Sequence, residues 1–201
     1  MEYACVLIAY LLGSVPMGIV VARALRLPDP RTTGSGNPGA TNVLRYGGKA
    51  AAALTLAGDI VKGVAAVLIA RFATADSSVI AFSGLAVFLG HLYPVFFGFR
   101  GGKGVATALG VWLVLVPAVG LLLLLTWLII AAAFRYSSLA ALVSAGLSPF
   151  YVWWSAAGPA YLMLSVAMTL LLIWRHRSNI RNLMLGKEGR ISFSRRPAED
   201  R

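Results

Sequence analysis

From Val105 to Phe134 the chain runs for 30 residues without one charged side chain. As a single α-helix that run would be about 45 Å long, against a bilayer hydrocarbon core of about 30 Å. Pro117 and Gly120 stand in its middle, where a helix breaks most readily. Division there gives two short spans, about Val105 to Val116 and Ala118 to Phe134. The stretch from Ser138 to Trp174 divides in the same way, into about Leu139 to Trp154 and Ala160 to Trp174, with Ser155 to Pro159 as the turn. Three earlier spans run about Tyr3 to Val21, with a kink at Pro16, Ala50 to Phe72, and Val79 to Phe97. The chain is 59% hydrophobic and 12% charged, whereas a soluble domain carries roughly 25% charged residues. The runs are continuous and do not alternate, which argues against a transmembrane β-barrel. The expected fold is all-α: a polytopic integral membrane protein of seven transmembrane helices, or five if both long runs stay whole. One domain is expected over 1–192, followed by a polar, disordered tail at 193–201.

The net charge of +11 would suggest nucleic acid in a soluble protein. Here the basic residues cluster in short loops beside apolar runs, the pattern of cytoplasmic loops, so no nucleic-acid partner is expected. Between the first two spans, Arg23, Arg26, Arg31, Arg45 and Lys49 face a single acid, Asp29. This puts the N-terminus outside and the C-terminus in the cytoplasm, with Arg71 as a minor exception at an outer end. No basic residue precedes the first run, so a cleavable signal peptide is not expected. Cys5 is alone, which rules out a disulfide within the chain. His91 and His176 lie in distant segments without a cysteine cluster, so neither a metal site nor a cofactor is expected.

Three polar, glycine-containing segments then fall on the same membrane face, at 32–49, 98–107 and 175–188. The first contains Gly34-Ser35-Gly36-Asn37-Pro38-Gly39-Ala40-Thr41-Asn42. Glycines let a ligand approach main-chain N–H groups, and short hydroxyl and amide side chains add hydrogen-bonding arms. Such a loop suits an oxyanion, although a bare connecting turn fits it equally well on its own. The second, Phe99-Arg100-Gly101-Gly102-Lys103-Gly104, puts Lys103 just before a helix N-terminus, where dipole and ammonium act together on a phosphate. It lacks the Walker pattern of a nucleotide-hydrolysing loop. In the third, His176 and Asn179 share a helical face. Together the segments supply Ser35, Asn37, Thr41, Asn42, Arg45, Arg100, Lys103, His176 and Asn179, a set rich in cations and neutral donors and poor in carboxylates. It fits one or two phosphates. Within the second span, Asp59 and Lys62 are three apart and are expected to neutralise each other.

These motifs resemble those of the bacterial membrane acyl-phosphate:glycerol-3-phosphate acyltransferases (PlsY type). The first resemblance runs from Gly34 through Arg45 to Asp59-x-x-Lys62-Gly63. The second runs from Gly90-His91-x-x-Pro94 through Arg100-Gly101-Gly102-Lys103-Gly104 to Thr107. The third is Arg175-His176-x-x-Asn179-Ile180-x-x-Leu183 with Gly186-x-Glu188. The resemblance implies transfer of a fatty acyl group from acyl phosphate to the 1-hydroxyl of sn-glycerol 3-phosphate, giving lysophosphatidic acid and phosphate at the first step of phospholipid synthesis. It implies an inner-membrane enzyme with a cytoplasm-facing site. Neither histidine is followed five residues later by aspartate, so the His-x-x-x-x-Asp motif of other glycerol-3-phosphate acyltransferases is absent. Expected partners are the two substrates, membrane lipid and the enzyme that forms acyl phosphate.

On this reading Ser35, Asn37, Lys103 and His176 act at the reacting centre. Gly34, Thr41, Arg45, Arg100, Gly102 and Asn179 bind phosphate, and Asn42, Asp59, Lys62 and His91 support them. Asn37 or a loop amide would face the oxyanion. The base is His176, His91 or a substrate phosphate, and Ser35 as a covalent nucleophile is the least favoured route. The acyl chain would lie in a groove between helices that opens to lipid. A small transporter, built around charge at mid-membrane, and a structural membrane subunit are the competing classes.

Overall fold

The computed structural model describes residues 2–191; the expected tail at 193–201 lies outside them. Among the described residues there are nine α-helices and no strand. They are α1 (Ala4–Gly13), α2 (Met17–Ala24), α3 (Ala40–Ala73), α4 (Ser77–Leu92), α5 (Val105–Leu115), α6 (Pro117–Phe134), α7 (Ser137–Trp154), α8 (Pro159–Arg175) and α9 (Arg177–Met184). Both long apolar runs are broken at the expected places, at Val116 before Pro117 and across 155–158. Three helices are long and apolar enough to cross a bilayer, five if each bent pair is one span. Large apolar side chains such as Phe72, Leu121, Leu125, Leu128 and Ile129 stand exposed, as a lipid-facing surface requires.

The first span is a bent pair, with α1 and α2 meeting at 47°. Pro16 has no N–H to continue the ladder and pushes Val15 out of the helical region. The break frees the carbonyls of Gly13 and Val15 inside the fold. Lys62 Nζ from α3 donates to both, at 3.1 and 2.9 Å. Asp59, one turn earlier, pairs with Lys62 at 2.8 Å and accepts a longer hydrogen bond from the Met17 N–H at 3.4 Å. The expected self-neutralising pair is therefore also the cap of a broken helix, donor to its first half and acceptor from its second.

Helix α3 is two helices in one. At Gly48 the backbone has φ 82° and ψ −178°, a conformation that is nearly glycine-only, and it separates a short helix over 40–47 from the long apolar rod beyond. The first motif is thus a loop that ends in a short helix, where the sequence suggested a loop throughout.

Close backbone approaches lock the bundle. A Cβ on Gly13 would sit 2.1 Å from the Val87 carbonyl oxygen, and one on Gly90 would sit 2.2 Å from that of Tyr10, so α1 and α4 touch backbone to backbone. Gly63 and Gly110 do the same for α3 and α5. Small residues at crossings permit dense packing where no hydrophobic effect drives helices together. A methyl group at Gly90 must move backbone, so Gly90→Ala is expected to cost about 1–3 kcal/mol. Gly146 of α7 has open space where its Cβ would be, and Gly146→Ala is expected to be neutral or stabilising. Thermal unfolding in detergent compares the two directly.

Candidate active site

The loop before α3 is built on one buried side chain. Asn42 donates from Nδ2 to the carbonyls of Pro30 and Thr33, at 3.0 and 2.9 Å, and accepts the Ser35 N–H on Oδ1 at 2.9 Å. It is 1% exposed and satisfied on both ends of its amide. Gly34 has φ +62°, and a Cβ there would strike Asn42 Oδ1. Asn42 therefore shapes the loop from beneath, while Ser35 is left exposed above it and Asn37 half-buried. The N–H groups of Ser35 and Gly36 are already used inside the loop, the latter on the Thr33 carbonyl, so they do not line an anion nest. The N–H groups free for that purpose lie further on, at the start of α3, which has no side-chain cap.

The second motif rests on His91. This buried ring shares Nδ1 between Thr107 Oγ1 at 3.2 Å and Asp59 at 3.4 Å. Its backbone carbonyl accepts the Gly102 N–H at 3.1 Å. A Cβ on Gly102 would lie 2.1 Å from His91 Nε2, so the loop must be glycine to pass over the ring. His91, Asp59 and Lys62 thus lie beneath the loop and are occupied with one another, with Thr107 and with helix ends. The transporter reading loses its support, since these charges serve the packing of α1, α2 and α4.

A relay of polar groups joins the three motifs. Lys103 Nζ donates to Asn179 Oδ1. Asn179 Nδ2 donates to Glu188 at 2.7 Å, and Ser138 Oγ donates to the same carboxylate oxygen at 2.6 Å. Next to Ser138 in the chain, Ser137 Oγ lies 3.0 Å from Thr41 Oγ1 of the first motif. Arg45 is exposed, and its guanidinium packs over Gly189. Helices α5 and α7 also begin without side-chain caps. Lys103 and the N-termini of α3, α5 and α7 thus collect at one end of the bundle, an arrangement suited to phosphate. Arg100 is exposed in the loop before Gly101, and no contact ties it to this relay among the described residues.

Burial lowers the Lys103 ammonium to about 8; Glu188 opposes the shift, and Arg175 and Arg45 add to it. His176, just past the end of α8, is pushed down to about 4 by burial, with Lys103 and Arg175 contributing. A carbonyl can only accept, so the 2.9 Å contact with Leu172 O puts the proton of neutral His176 on Nδ1 and leaves Nε2 bare.

Ser137 and Ser138 were not singled out from the sequence, and Arg175 and Glu188 were given no role there. The serines had one signal, paired hydroxyls in a polar turn where a helix begins. Arg175 and Glu188 stood within the third motif but resembled ordinary cytoplasmic charge. The site does hold one carboxylate, and that carboxylate orients Asn179.

Asn42→Ala removes three hydrogen bonds of about 1 kcal/mol each. The loop is then expected to open more often, with trypsin cleavage after Arg31 accelerating about tenfold or more. Time-resolved digestion of the folded variant and parent provides the measurement.

Residues 3–186 match the Glycerol-3-phosphate acyltransferase family. The chain is 55% identical over 91% of its length to the glycerol-3-phosphate acyltransferase of Methylobacillus flagellatus, covering 93% of that protein. Two crystal structures of PlsY, an integral membrane glycerol 3-phosphate acyltransferase, superpose closely. Its glycerol 3-phosphate form gives a TM-score of 0.91 at 44% identity, covering 95% of this chain and 96% of the other. Its lysophosphatidic acid form gives 0.89 at 43%, covering 96% of each. With several apolar helices besides, this is a multi-pass membrane protein. The chain belongs to the glycerol-3-phosphate acyltransferase family.

Proposed function

We propose that this enzyme transfers a fatty acyl group from acyl phosphate to the 1-hydroxyl of sn-glycerol 3-phosphate, at the cytoplasmic face of a bacterial inner membrane. The observation that carries the reading is the Lys103–Asn179–Glu188–Ser138 relay with the Thr41–Ser137 contact beside it, which together bring the three motifs to the uncapped N-terminus of α5. Both proposed substrates carry phosphate. Lys103 and Arg45 hold phosphate charge, with Ser35, Thr41 and Asn179 adding neutral donors and Arg100 attracting substrate from the rim. Gly34 and Gly102 keep the two loops close to the ligand.

The hydroxyl oxygen of glycerol 3-phosphate attacks the acyl carbon, and the bond from that carbon to the phosphate oxygen breaks. Negative charge forms on the acyl oxygen, where Asn37 or an amide at the start of α3 donates. Phosphate is a good leaving group, so no covalent intermediate is needed and Ser35 serves as a donor. His91 is too deeply engaged to act as base. His176, at about 4, is a weak base near neutral pH. The hydroxyl proton therefore passes to an oxygen of the departing phosphate, and His176 accepts a substrate hydrogen bond on Nε2. The protein supplies positioning and charge.

Seven spans, the N-terminus outside and the C-terminus within, follow from counting α1 with α2 as one span and α3 to α8 as one each. The basic residues of 22–49, 98–104 and 175–190 then share the cytoplasmic side. We take 1–192 as one acyltransferase domain. The acyl chain lies in a groove between helices open to lipid, and the enzyme that forms acyl phosphate delivers the donor at the same face.

Lys103→Ala and Arg45→Ala are each expected to lower kcat/KM by about 10²–10³ while the protein still inserts. Turnover near the parent's in both would sink the phosphate assignment. Comparison of acyl phosphate, acyl-coenzyme A and an acyl-carrier thioester as donors should show product from acyl phosphate alone. Affinity for glycerol 3-phosphate should depend on pH in a defined sense. Lys103 is cationic below about 8 and neutral above, so its contribution to binding is full below that point and is lost as pH rises through about 8. A bound phosphate moves that midpoint upward. Calorimetric titration across this range checks it.

A further inference from the structure

Arg175 is the last residue of α8, where the chain bends by 59° into α9. Its guanidinium points into the second motif. Nη2 donates to the Gly101 carbonyl at 2.9 Å and to the Gly102 carbonyl at 3.0 Å, and Nε donates to Gly102 again at 3.2 Å. Its face lies 5.4 Å from the centre of the Tyr93 ring. Tyr93 is itself held, its carbonyl accepting the Tyr10 hydroxyl at 2.8 Å.

The target of these bonds is two consecutive glycines, the most conformationally free backbone available. Both are glycine because of His91, whose carbonyl oxygen would be 2.1 Å from a Cβ at 101 and whose Nε2 would be 2.1 Å from one at 102. A segment that must lack side chains cannot fix itself by packing them. Across a trans peptide the carbonyl and the following N–H point in opposite directions. With the Gly101 carbonyl drawn to Arg175, the Gly102 N–H points the other way, and it is found on the His91 carbonyl at 3.1 Å. With the Gly102 carbonyl on the same guanidinium, the direction of the Lys103 N–H is set as well. One planar fork thus sets the two peptide planes before Lys103. Four residues after Arg175, Asn179 takes the far end of the Lys103 side chain. Lys103 is therefore held at its root through Arg175 and at its tip through Asn179.

We propose that Arg175 is a positioning residue for the acyl transfer, holding the Gly101–Gly102–Lys103 backbone so that Lys103 meets substrate phosphate. The proposal rests on the phosphate-binding reading of Lys103. Arg175 directs these three hydrogen bonds at carbonyls and acts through Lys103. Charge alone does not account for such a role, since a cytoplasmic anchor charge needs no fork.

The test uses full-length protein in detergent, with acyl phosphate and glycerol 3-phosphate as substrates. Arg175→Lys keeps the charge and loses the fork. It is expected to unfold near the parent's temperature and to lose about 10²-fold in kcat/KM, the scale of a small misplacement at a reacting centre. Added methylguanidinium is expected to restore Arg175→Ala at least about tenfold while leaving its thermal unfolding unchanged. In a Lys103→Ala background, Arg175→Lys should cost less than about threefold more, because residues that act as a unit are not additive. Parent-like kinetics of Arg175→Lys overturn the proposal, as do losses that multiply in the double variant or an Arg175→Ala protein that no guanidinium restores. Should Lys103→Ala alone keep parent-like turnover, it is the phosphate reading that fails, and that result is obtained without any Arg175 variant.

Discussion

Lys62 carries a charge into the middle of an apolar bundle, and the arrangement of the helices around it follows from where that charge finds partners. It meets Asp59 on its own helix and two carbonyls that Pro16 has freed on another. Removing either member of such a pair leaves the other buried alone, at a cost of about 3–5 kcal/mol. The pair therefore requires a broken first span, and the broken span requires the pair. Asp59 then reaches His91, whose ring and carbonyl support the glycine turn of the second motif. An ionic contact deep in the bundle is connected in three steps to the backbone beside Lys103.

At the membrane surface a second principle takes over. Burial is the main reason Lys103 gives up its proton more easily than a solvated lysine, and the neighbouring cations Arg175 and Arg45 add to it, since gathering cations in one place raises the energy of each. Glu188 offsets part of that repulsion in the free enzyme and fixes Asn179 while doing so. On the proposed function, an arriving dianionic phosphate supplies the rest. The site is thus poised between being too positive to pack and positive enough to bind.

Much of this was legible in the sequence, for identifiable reasons. The breaks at Pro117 and at Gly158-Pro159 could be read because bilayer thickness limits helix length, whatever the tertiary structure. Asp59 and Lys62 could be paired because helical spacing is local. The face shared by the three motifs followed from charge. What escaped required contacts between distant segments. Nothing in Asn42 marks it as the underside of a loop and Ser35 as its rim. His91 was a possible base until its ring proved to be the floor under Gly102. Glu188 and Arg175 are charges in a basic tail until folding brings one against Asn179 and the other against Gly101 and Gly102. Serines 137 and 138 became part of the site only when α7 was set beside α3.

The match to the family model ends at residue 186, but the hydrogen bonding of the site does not. Beyond it, Glu188 joins the relay, and Ile191 exchanges two bonds with Arg135 at the turn between α6 and α7, through the Arg135 carbonyl at 2.7 Å and its guanidinium at 3.1 Å. Arg190 lies over Tyr136 on the same turn. A boundary drawn at residue 186 would cut away the carboxylate of the relay and the strap that holds it. For anyone shortening, tagging or grafting this enzyme, the chain through Ile191 belongs with the site, and a cut or fusion placed before that residue severs it.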